Sequence, residues 1–211
     1  MAYGFIEDLD GFFCETYERY ETICALRGYR MPQMQKSDVD ELGFVRTYTL
    51  PAERKKLCHQ EDKTELLKQL KGNLRDLSFS FSFEPIGWFT RLQNVFKKNV
   101  FYKFLKTVWQ RHGIAQAEAG AELSVSSEIW NGICEGRFLP SKNLIFSLAV
   151  VVGLSMEDTK KMLSLCGYAF DYTEAKDVVI SYLVQQKVHN REMVNAALKE
   201  YKIENLFLKE A

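Results

Sequence analysis

The sequence predicts a mainly all-α protein, in which an N-terminal helical region precedes a group of short central helices and a two-helix C-terminal extension. Apolar residues recur at intervals of three and four along much of the 211-residue chain, which is the spacing of one face of an α-helix. From residue 101 to the end, short breaks containing glycine or serine interrupt this spacing, as expected between helices. No period of about 20 to 50 residues recurs, which argues against a repeat architecture.

The first 99 residues are predicted to form a mostly helical region. One apolar stripe runs through residues 5–27 and predicts a single amphipathic helix. Its members are Ile6, Leu9, Phe13, Tyr17, Tyr20 and Cys24. A second helix is predicted over residues 61–77, where leucines recur at helical spacing. The first stripe could pack on the rest of the protein or on a second copy, so this region is the expected oligomerising or partner-sensing part.

A short extended element is also predicted within the first 99 residues. In "LSFSFSFEP", phenylalanines alternate strictly with serines, which is the period of a half-buried strand. The segment "GFVRTYTL" is its only visible partner, so a two-stranded ribbon and an extended segment laid across the helices are both open. After Pro85, a further helix is predicted with its apolar residues inward. These residues are Trp88, Phe89, Leu92, Val95 and Phe96.

A helix-turn-helix is predicted between residues 113 and 136. Gly113 is placed to end the helix "FYKFLKTVWQRH", and Gln116 lies near the start of the next helix. A turn of small residues ends at Ser126, which is placed as the N-cap of a third helix, and Gly136 is placed to end that helix. The positions expected to face the core are Ala119, Gly120, Leu123, Trp130 and Ile133.

The pattern continues through two more predicted helices. Ser141 and Ser155 each stand before an apolar run as N-caps, and Asp158 follows Ser155 at the spacing of a capping box. The order of Gln, small-residue turn, glycine, Pro-Ser, Leu-Ala and Gly-Leu-Ser resembles the Cro/CI (XRE) repressor family over about residues 101–167. The resemblance implies a lambda-repressor-like module of five helices at 100–167, followed by the helical extension at 168–211.

The resemblance also implies duplex DNA as the partner, because in this family the third helix lies in the major groove. The residues that fall at base-reading positions are Ser126, Ser127, Glu128 and Asn131. Gln116 would hold a phosphate, and Arg137 and Lys142 flank the third helix. The implied function is a DNA-binding regulatory protein, and reading a palindromic operator would require a dimer.

The charge distribution favours an alternative. Residues 101–170 contain seven Lys and Arg against six Asp and Glu, and no Lys or Arg lies between residues 124 and 136. Glu128 and Glu135 fall on the face that would meet the phosphates, although phosphate neutralisation supplies most non-specific affinity. Gly132, a departure from the family pattern, would permit close approach of another backbone. The alternative is a non-catalytic adaptor or regulatory protein that uses this module to bind protein.

Catalysis, a cofactor and a metal are not indicated. The chain has no phosphate-binding glycine loop and no H-E-x-x-H motif. Its five cysteines form no C-x-x-C pair and are expected to be reduced; Cys58 and His59 are the only adjacent candidate ligands. The beginning of the chain lacks a basic segment before an apolar one, and no apolar run approaches the roughly 20 residues of a membrane span. We therefore expect a cytoplasmic protein that does not contact a membrane.

Overall fold

The computed structural model describes residues 2–31, 35–39, 43–49, 55–75, 82–97, 100–113, 120–121, 123 and 125–204. Over these residues the chain is mostly helical, as predicted. The α-helices are α1 (Ala2–Thr16), α2 (Tyr20–Cys24), α3 (Lys63–Asn73), α4 (Trp88–Phe96), α5 (Phe101–His112), α6 (Ser127–Cys134), α7 (Lys142–Val152), α8 (Met156–Leu165), α9 (Ala175–Gln185) and α10 (Arg191–Glu200). The strands are β1 (Gln35–Val39), β2 (Val45–Thr49), β3 (Phe83–Pro85) and β4 (Phe138–Pro140). None of the described helices is long and apolar enough to cross a membrane.

The apolar stripe of residues 5–27 forms two helices, so the prediction of one continuous helix is wrong. α1 ends at Thr16 and α2 begins at Tyr20. Between them, the Glu18 N–H donates a hydrogen bond of 2.9 Å to the carbonyl oxygen of Tyr172. The backbone thus leaves the helical path where it contacts the C-terminal extension, which the local spacing of apolar residues does not encode.

α1 packs against α9 and α10. Its residues Leu9 and Phe13 are fully buried, and the Phe13 ring centroid lies 4.6 Å from that of Tyr201. The ring of Phe12 lies 5.3 Å from that of Tyr182 in α9. The chain itself therefore covers this part of the stripe. These contacts join residues on either side of the predicted domain boundaries at 99/100 and 167/168. The boundaries themselves stay predictions.

A network of charged and polar side chains connects α1, α3 and the end of α10. The Lys71 ammonium lies 2.7 Å from an oxygen of Asp10 and 2.7 Å from an oxygen of Glu200. The Tyr201 hydroxyl donates a hydrogen bond of 2.8 Å to the same Asp10 oxygen. Because the Lys71 side chain is only 13% exposed, solvent screens these interactions less than it screens surface ion pairs.

The described strands form two antiparallel ribbons. The segment "GFVRTYTL" contains β2, but β2 pairs with β1, and β3 pairs with β4 of the central helical group. Of the two arrangements left open, the ribbon between "GFVRTYTL" and the alternating phenylalanines is excluded at Phe83, which pairs with Pro140; Leu77, Phe79 and Phe81 lie outside the described residues. β1 escaped prediction because its sequence, "QKSDV", has only one apolar residue and no alternation.

α4 is a helix as predicted, but its apolar residues face solvent, so the prediction that they face inward is wrong. Their exposed fractions are Trp88 63%, Phe89 66%, Leu92 54%, Val95 60% and Phe96 88%. Helical spacing determines which residues share a face of the helix, but the surface that covers that face depends on distant parts of the chain.

Candidate functional site

The first helix of the predicted helix-turn-helix ends as expected. α5 ends at His112, and Gly113 follows it in the left-handed backbone conformation with φ of 65°. Residues 114–119 lie outside the described residues, and so does Ser124 of the turn. The predicted phosphate contact of Gln116 therefore stays a prediction. After this interval, Leu123 is fully buried, as expected for a core position.

Local sequence signals define both ends of α6. The Ser126 hydroxyl oxygen accepts a hydrogen bond of 3.4 Å from the Ile129 N–H, which confirms the predicted N-cap. At the other end, Gly136 has a positive φ of 72°, and its N–H donates to the carbonyl of Ile133 at 3.1 Å. Trp130 and Ile133 are buried, as predicted. α6 is thus a short helix whose apolar side is fixed against the core.

Three glycines around α6 accommodate aromatic side chains of the same chain. A Cβ atom on Gly120 would lie 2.6 Å from the Trp130 indole, and one on Gly136 would lie 2.6 Å from the Tyr102 ring. At Gly132, a Cβ atom would clash with the Phe138 ring. The space beside Gly132 therefore holds a side chain of this chain rather than the backbone of a partner, contrary to the sequence-based expectation.

The outward side of α6 is polar. Ser127, Glu128 and Asn131 are exposed, and Ser126 is exposed immediately before the helix. These are the four residues that the sequence predicts to read bases. Asn131 follows Ser127 by four residues and Glu128 by three, so these three side chains lie on one side of the helix. Glu135 is exposed just after the helix. This surface can donate and accept hydrogen bonds but carries no positive charge.

Both cations predicted to flank α6 are paired within the chain. The Arg137 Nε donates a hydrogen bond of 2.9 Å to a carboxylate oxygen of Glu135. The Lys142 ammonium forms a short ion pair with Asp177, whose side chain is only 3% exposed, and lies 5.5 Å from the centroid of the Phe146 ring. Lys142 thus neutralises a buried carboxylate of α9, so its expected role as a free phosphate ligand is not supported.

Asp177 was not among the predicted site residues, although the sequence around it carries a signal for a buried carboxylate. Asp177 stands directly before "VVISYLV", a run in which every residue is buried. A carboxylate there requires a cation and hydrogen-bond donors, and the Asp171 N–H supplies one such donor at 2.6 Å. Lys142, the cation, lies 35 residues earlier, so spacing alone does not identify it.

A second ion pair holds the helices that support α6. Ser155 caps α8 by accepting a hydrogen bond of 3.0 Å from the Asp158 N–H, which confirms the predicted N-cap and is one of the two bonds of a capping box. The Asp158 carboxylate in turn accepts hydrogen bonds of 2.8 and 2.9 Å from Arg111 of α5. Ser141 precedes α7 as predicted, but its hydroxyl oxygen accepts a hydrogen bond from Ser82 N–H instead of capping the helix.

Comparison with known proteins adds no relatives. No family model matches the sequence, and neither a curated protein nor a solved structure matches it. The resemblance of residues 101–167 to the Cro/CI family stays a hypothesis that rests on the sequence motif.

A shallow cleft separates α4 from the C-terminal end of α6. Its volume is about 310 Å³, and its lining includes Trp88, Arg91, Tyr102, Glu135 and Gly136. Burial raises the pKa of the neighbouring Cys134 thiol to about 11, with a smaller contribution from the Glu135 charge, so this cysteine is a poor nucleophile near neutral pH. No cluster of potential metal ligands occurs among the residues that the structure describes.

Proposed function

We propose that this protein is a DNA-binding regulatory protein whose helix α6 enters the major groove. The observation that carries the proposal is the division of α6 into a fully packed apolar side and an outward side made of Ser127, Glu128 and Asn131. The centre of a protein–protein interface is normally apolar and aromatic. An outward surface limited to short polar groups matches the edges of base pairs better.

Each outward side chain has a base partner of suitable chemistry. The Asn131 amide can form a bidentate contact with adenine, in which its NH2 group donates to N7 and its oxygen accepts from the N6 amino group. The Glu128 carboxylate can accept from the N4 amino group of cytosine, and the Ser127 hydroxyl can serve either role. We assign sequence preference to these three residues, with no catalytic step and no cofactor.

The proposal predicts weak binding to arbitrary DNA. Non-specific affinity comes mainly from Lys and Arg at phosphates, whereas Arg137 and Lys142 are paired with carboxylates. Lys106 and Arg111 on α5 are the exposed cations nearest in sequence to the turn, and Arg111 is already bonded to Asp158. Recognition would therefore depend on base contacts and on two copies acting together.

The test is selection of duplexes from a random pool by the full-length protein, followed by affinity measurements on the enriched sequence. Asn131→Ala should weaken binding by about 1–3 kcal/mol and relax preference at one base position. Asn73→Ala, the same change on an exposed position of α3, is the matched control and should change nothing. Failure of the wild-type protein to enrich any sequence, together with no DNA retention at low salt, would refute the proposal.

Glu128→Lys tests independently whether the outward side of α6 faces the phosphates of DNA. The change replaces a charge that repels phosphates with one that attracts them, so non-specific affinity should rise and its salt dependence should steepen by about one phosphate contact. The control is Glu157→Lys, at an exposed position in the first turn of α8. Equal effects of the two substitutions would mean that α6 does not face the DNA.

The adaptor role is the second candidate, and it is favoured by the acidic character of the α6 surface. Glu128 and Glu135 are exposed there, and the neighbouring cations are neutralised within the chain. A partner protein with a basic surface would suit this arrangement. Under this alternative, Glu128→Lys would weaken binding of the partner, and Asn131→Ala would leave DNA retention unchanged.

A further inference from the structure

α4 presents an apolar face that the described part of the chain leaves uncovered. All five of its large apolar residues are more than half exposed, and none of the nine residues in the helix is buried. Isolated helices shorter than about 12–15 residues are marginally stable in water, and most helices in proteins are stabilised by packing of their apolar face. A helix of this length with an exposed apolar face therefore lacks the packing surface that would stabilise it.

α4 is nevertheless attached to the rest of the protein at both ends. Before the helix, the Ile86 N–H donates a hydrogen bond of 2.8 Å to the Arg137 carbonyl, next to the β3–β4 pairing. After it, the Lys103 ammonium donates to the carbonyl oxygens of Asn94, Val95 and Lys97 at 3.1, 2.7 and 2.7 Å. These bonds hold the helix in position. Three residues of its apolar face, Trp88, Leu92 and Val95, line the cleft beside α6, and each of them stays more than half exposed.

The apolar face has a two-fold arrangement about Leu92. Phe89 and Val95 lie three residues before and after Leu92, and Trp88 and Phe96 lie four residues before and after it. An antiparallel helix pair with its two-fold axis at Leu92 therefore places Trp88 and Phe89 of one copy against Val95 and Phe96 of the other. Such self-complementarity is what a symmetric dimer interface requires.

The available area is sufficient for a dimer. Covered aromatic side chains each bury about 150–250 Å², so the exposed fractions of the five residues amount to roughly 600 Å² per copy. Two copies would bury about 1,200 Å², which is the lower end of the range for stable interfaces. Trp88, Leu92 and Val95 line the same cleft as Arg91 and Glu135, so the charges at this edge of the apolar face are of opposite sign, and the neighbouring Gln93 is uncharged.

From these observations we infer that α4 is a homodimer interface in which the α4 helices of two copies pack antiparallel across Leu92. An anionic membrane surface would need free cations beside the apolar face. The Lys103 ammonium is bound to carbonyl oxygens of α4, and Arg91 lines the cleft that contains Glu135, so the observations favour a second copy. The interface would lie at the C-terminal end of α6, about 12 Å along the helix from Ser127. The inference does not depend on DNA binding.

Sedimentation of the full-length protein without DNA tests the inference. The wild-type protein should be a dimer with a Kd of about 10 µM or below. Leu92→Glu should raise this Kd by roughly 30-fold or more, since it places two charges at the centre of the interface. Thr90→Glu, the same charge on the opposite side of α4, is the matched control and should leave the Kd unchanged. Circular dichroism of each variant verifies that its helical content is retained.

Cross-linking identifies the geometry directly. In the proposed pairing, residue 92 meets its own copy, so a short bismaleimide should link two Leu92→Cys chains through that residue, as mapped by mass spectrometry. Thr90→Cys should give no such link. A monomeric wild-type protein at tens of micromolar would overturn the inference. A monomer whose Trp88 fluorescence shifts to the blue on phosphatidylserine vesicles would also overturn it, and would assign the face to a membrane surface.

Discussion

Trp130 occupies the space that a side chain at residue 120 would need, because a Cβ atom on Gly120 would lie 2.6 Å from the indole Cδ1 atom. Both residues are buried, so the indole has little room to move. The glycine, at a position where the Cro/CI pattern usually has alanine, is thus matched by a large side chain on α6. This pair positions α6 relative to the preceding turn.

We expect Gly120→Ala to lower the free energy of unfolding by about 1–3 kcal/mol through overpacking against Trp130. Trp130→Phe combined with Gly120→Ala should recover part of that loss, because the smaller ring leaves room for the methyl group. Gly11→Ala is the control, since nothing lies within 4 Å of a Cβ atom there and alanine favours the interior of α1. Urea denaturation measures all three, and a stabilising Gly120→Ala would contradict the packing described.

The Lys142–Asp177 pair predicts a large effect of removing one charge. Asp177→Asn leaves the ammonium without its counter-ion in a site where Lys142 is only 25% exposed, and we expect a loss of about 3 kcal/mol. Glu174→Gln, in the pair with Arg19 whose side chains are about half exposed, should cost less than about 1 kcal/mol. Equal losses in the two variants, measured by urea denaturation, would show that Asp177 is not the critical partner.

The hydroxyl of Tyr201 allows the contribution of the contact between α1 and the end of α10 to the free energy of unfolding to be measured. Tyr201→Phe removes the hydrogen bond to Asp10 but keeps the ring against Phe13, and we expect a loss of about 1–2 kcal/mol. Tyr168→Phe serves as the control, because no side-chain hydrogen bond of Tyr168 occurs within the described part of the chain. Thermal denaturation should show a lower midpoint for the first variant and a change within about 0.5 kcal/mol for the second.

Cysteine alkylation provides a test that requires no mutation. Burial raises the pKa of Cys14 and Cys134 to about 11 and that of Cys166 to about 12. The thiolate fraction at pH 8 is then roughly one in a thousand or less, against about a quarter for a free thiol. Iodoacetamide should therefore label Cys24 and Cys58 first in the native protein, and all five cysteines at similar rates in urea. Early labelling of Cys134 would contradict the burial of its thiol against the core.

Features that depend on neighbours in sequence were predictable. The caps at Ser126 and Ser155 each use an N–H three residues later, and Gly113 and Gly136 adopt the left-handed conformation expected of glycines that follow a helix. The outward placement of Asn131 and Glu128 follows from the same local rules once Trp130 and Ile133 face the core.

Features that depend on distant partners were not predictable. The ion pair of Lys142 involves a residue 35 positions away, and the hydroxyl of Ser141 bonds Ser82, 59 positions away. The β3–β4 pairing likewise joins segments more than fifty residues apart. The exposure of the apolar face of α4 was not predicted for the same reason. The spacing of apolar residues identifies the apolar face of a helix but not the residues that pack against it.

The hydrogen bond between Asp10 and Tyr201 also constrains how the protein is made. Tyr201 is synthesised 191 residues after Asp10, a delay of roughly 10 to 40 seconds at usual elongation rates. During translation, Leu9 and Phe13 of α1, which are fully buried in the folded protein, therefore stay exposed until the helices that cover them have been synthesised. A nascent chain stalled on the ribosome before Tyr201 should present these side chains to holdase chaperones, and emergence of Tyr201 from the ribosome should end that interaction.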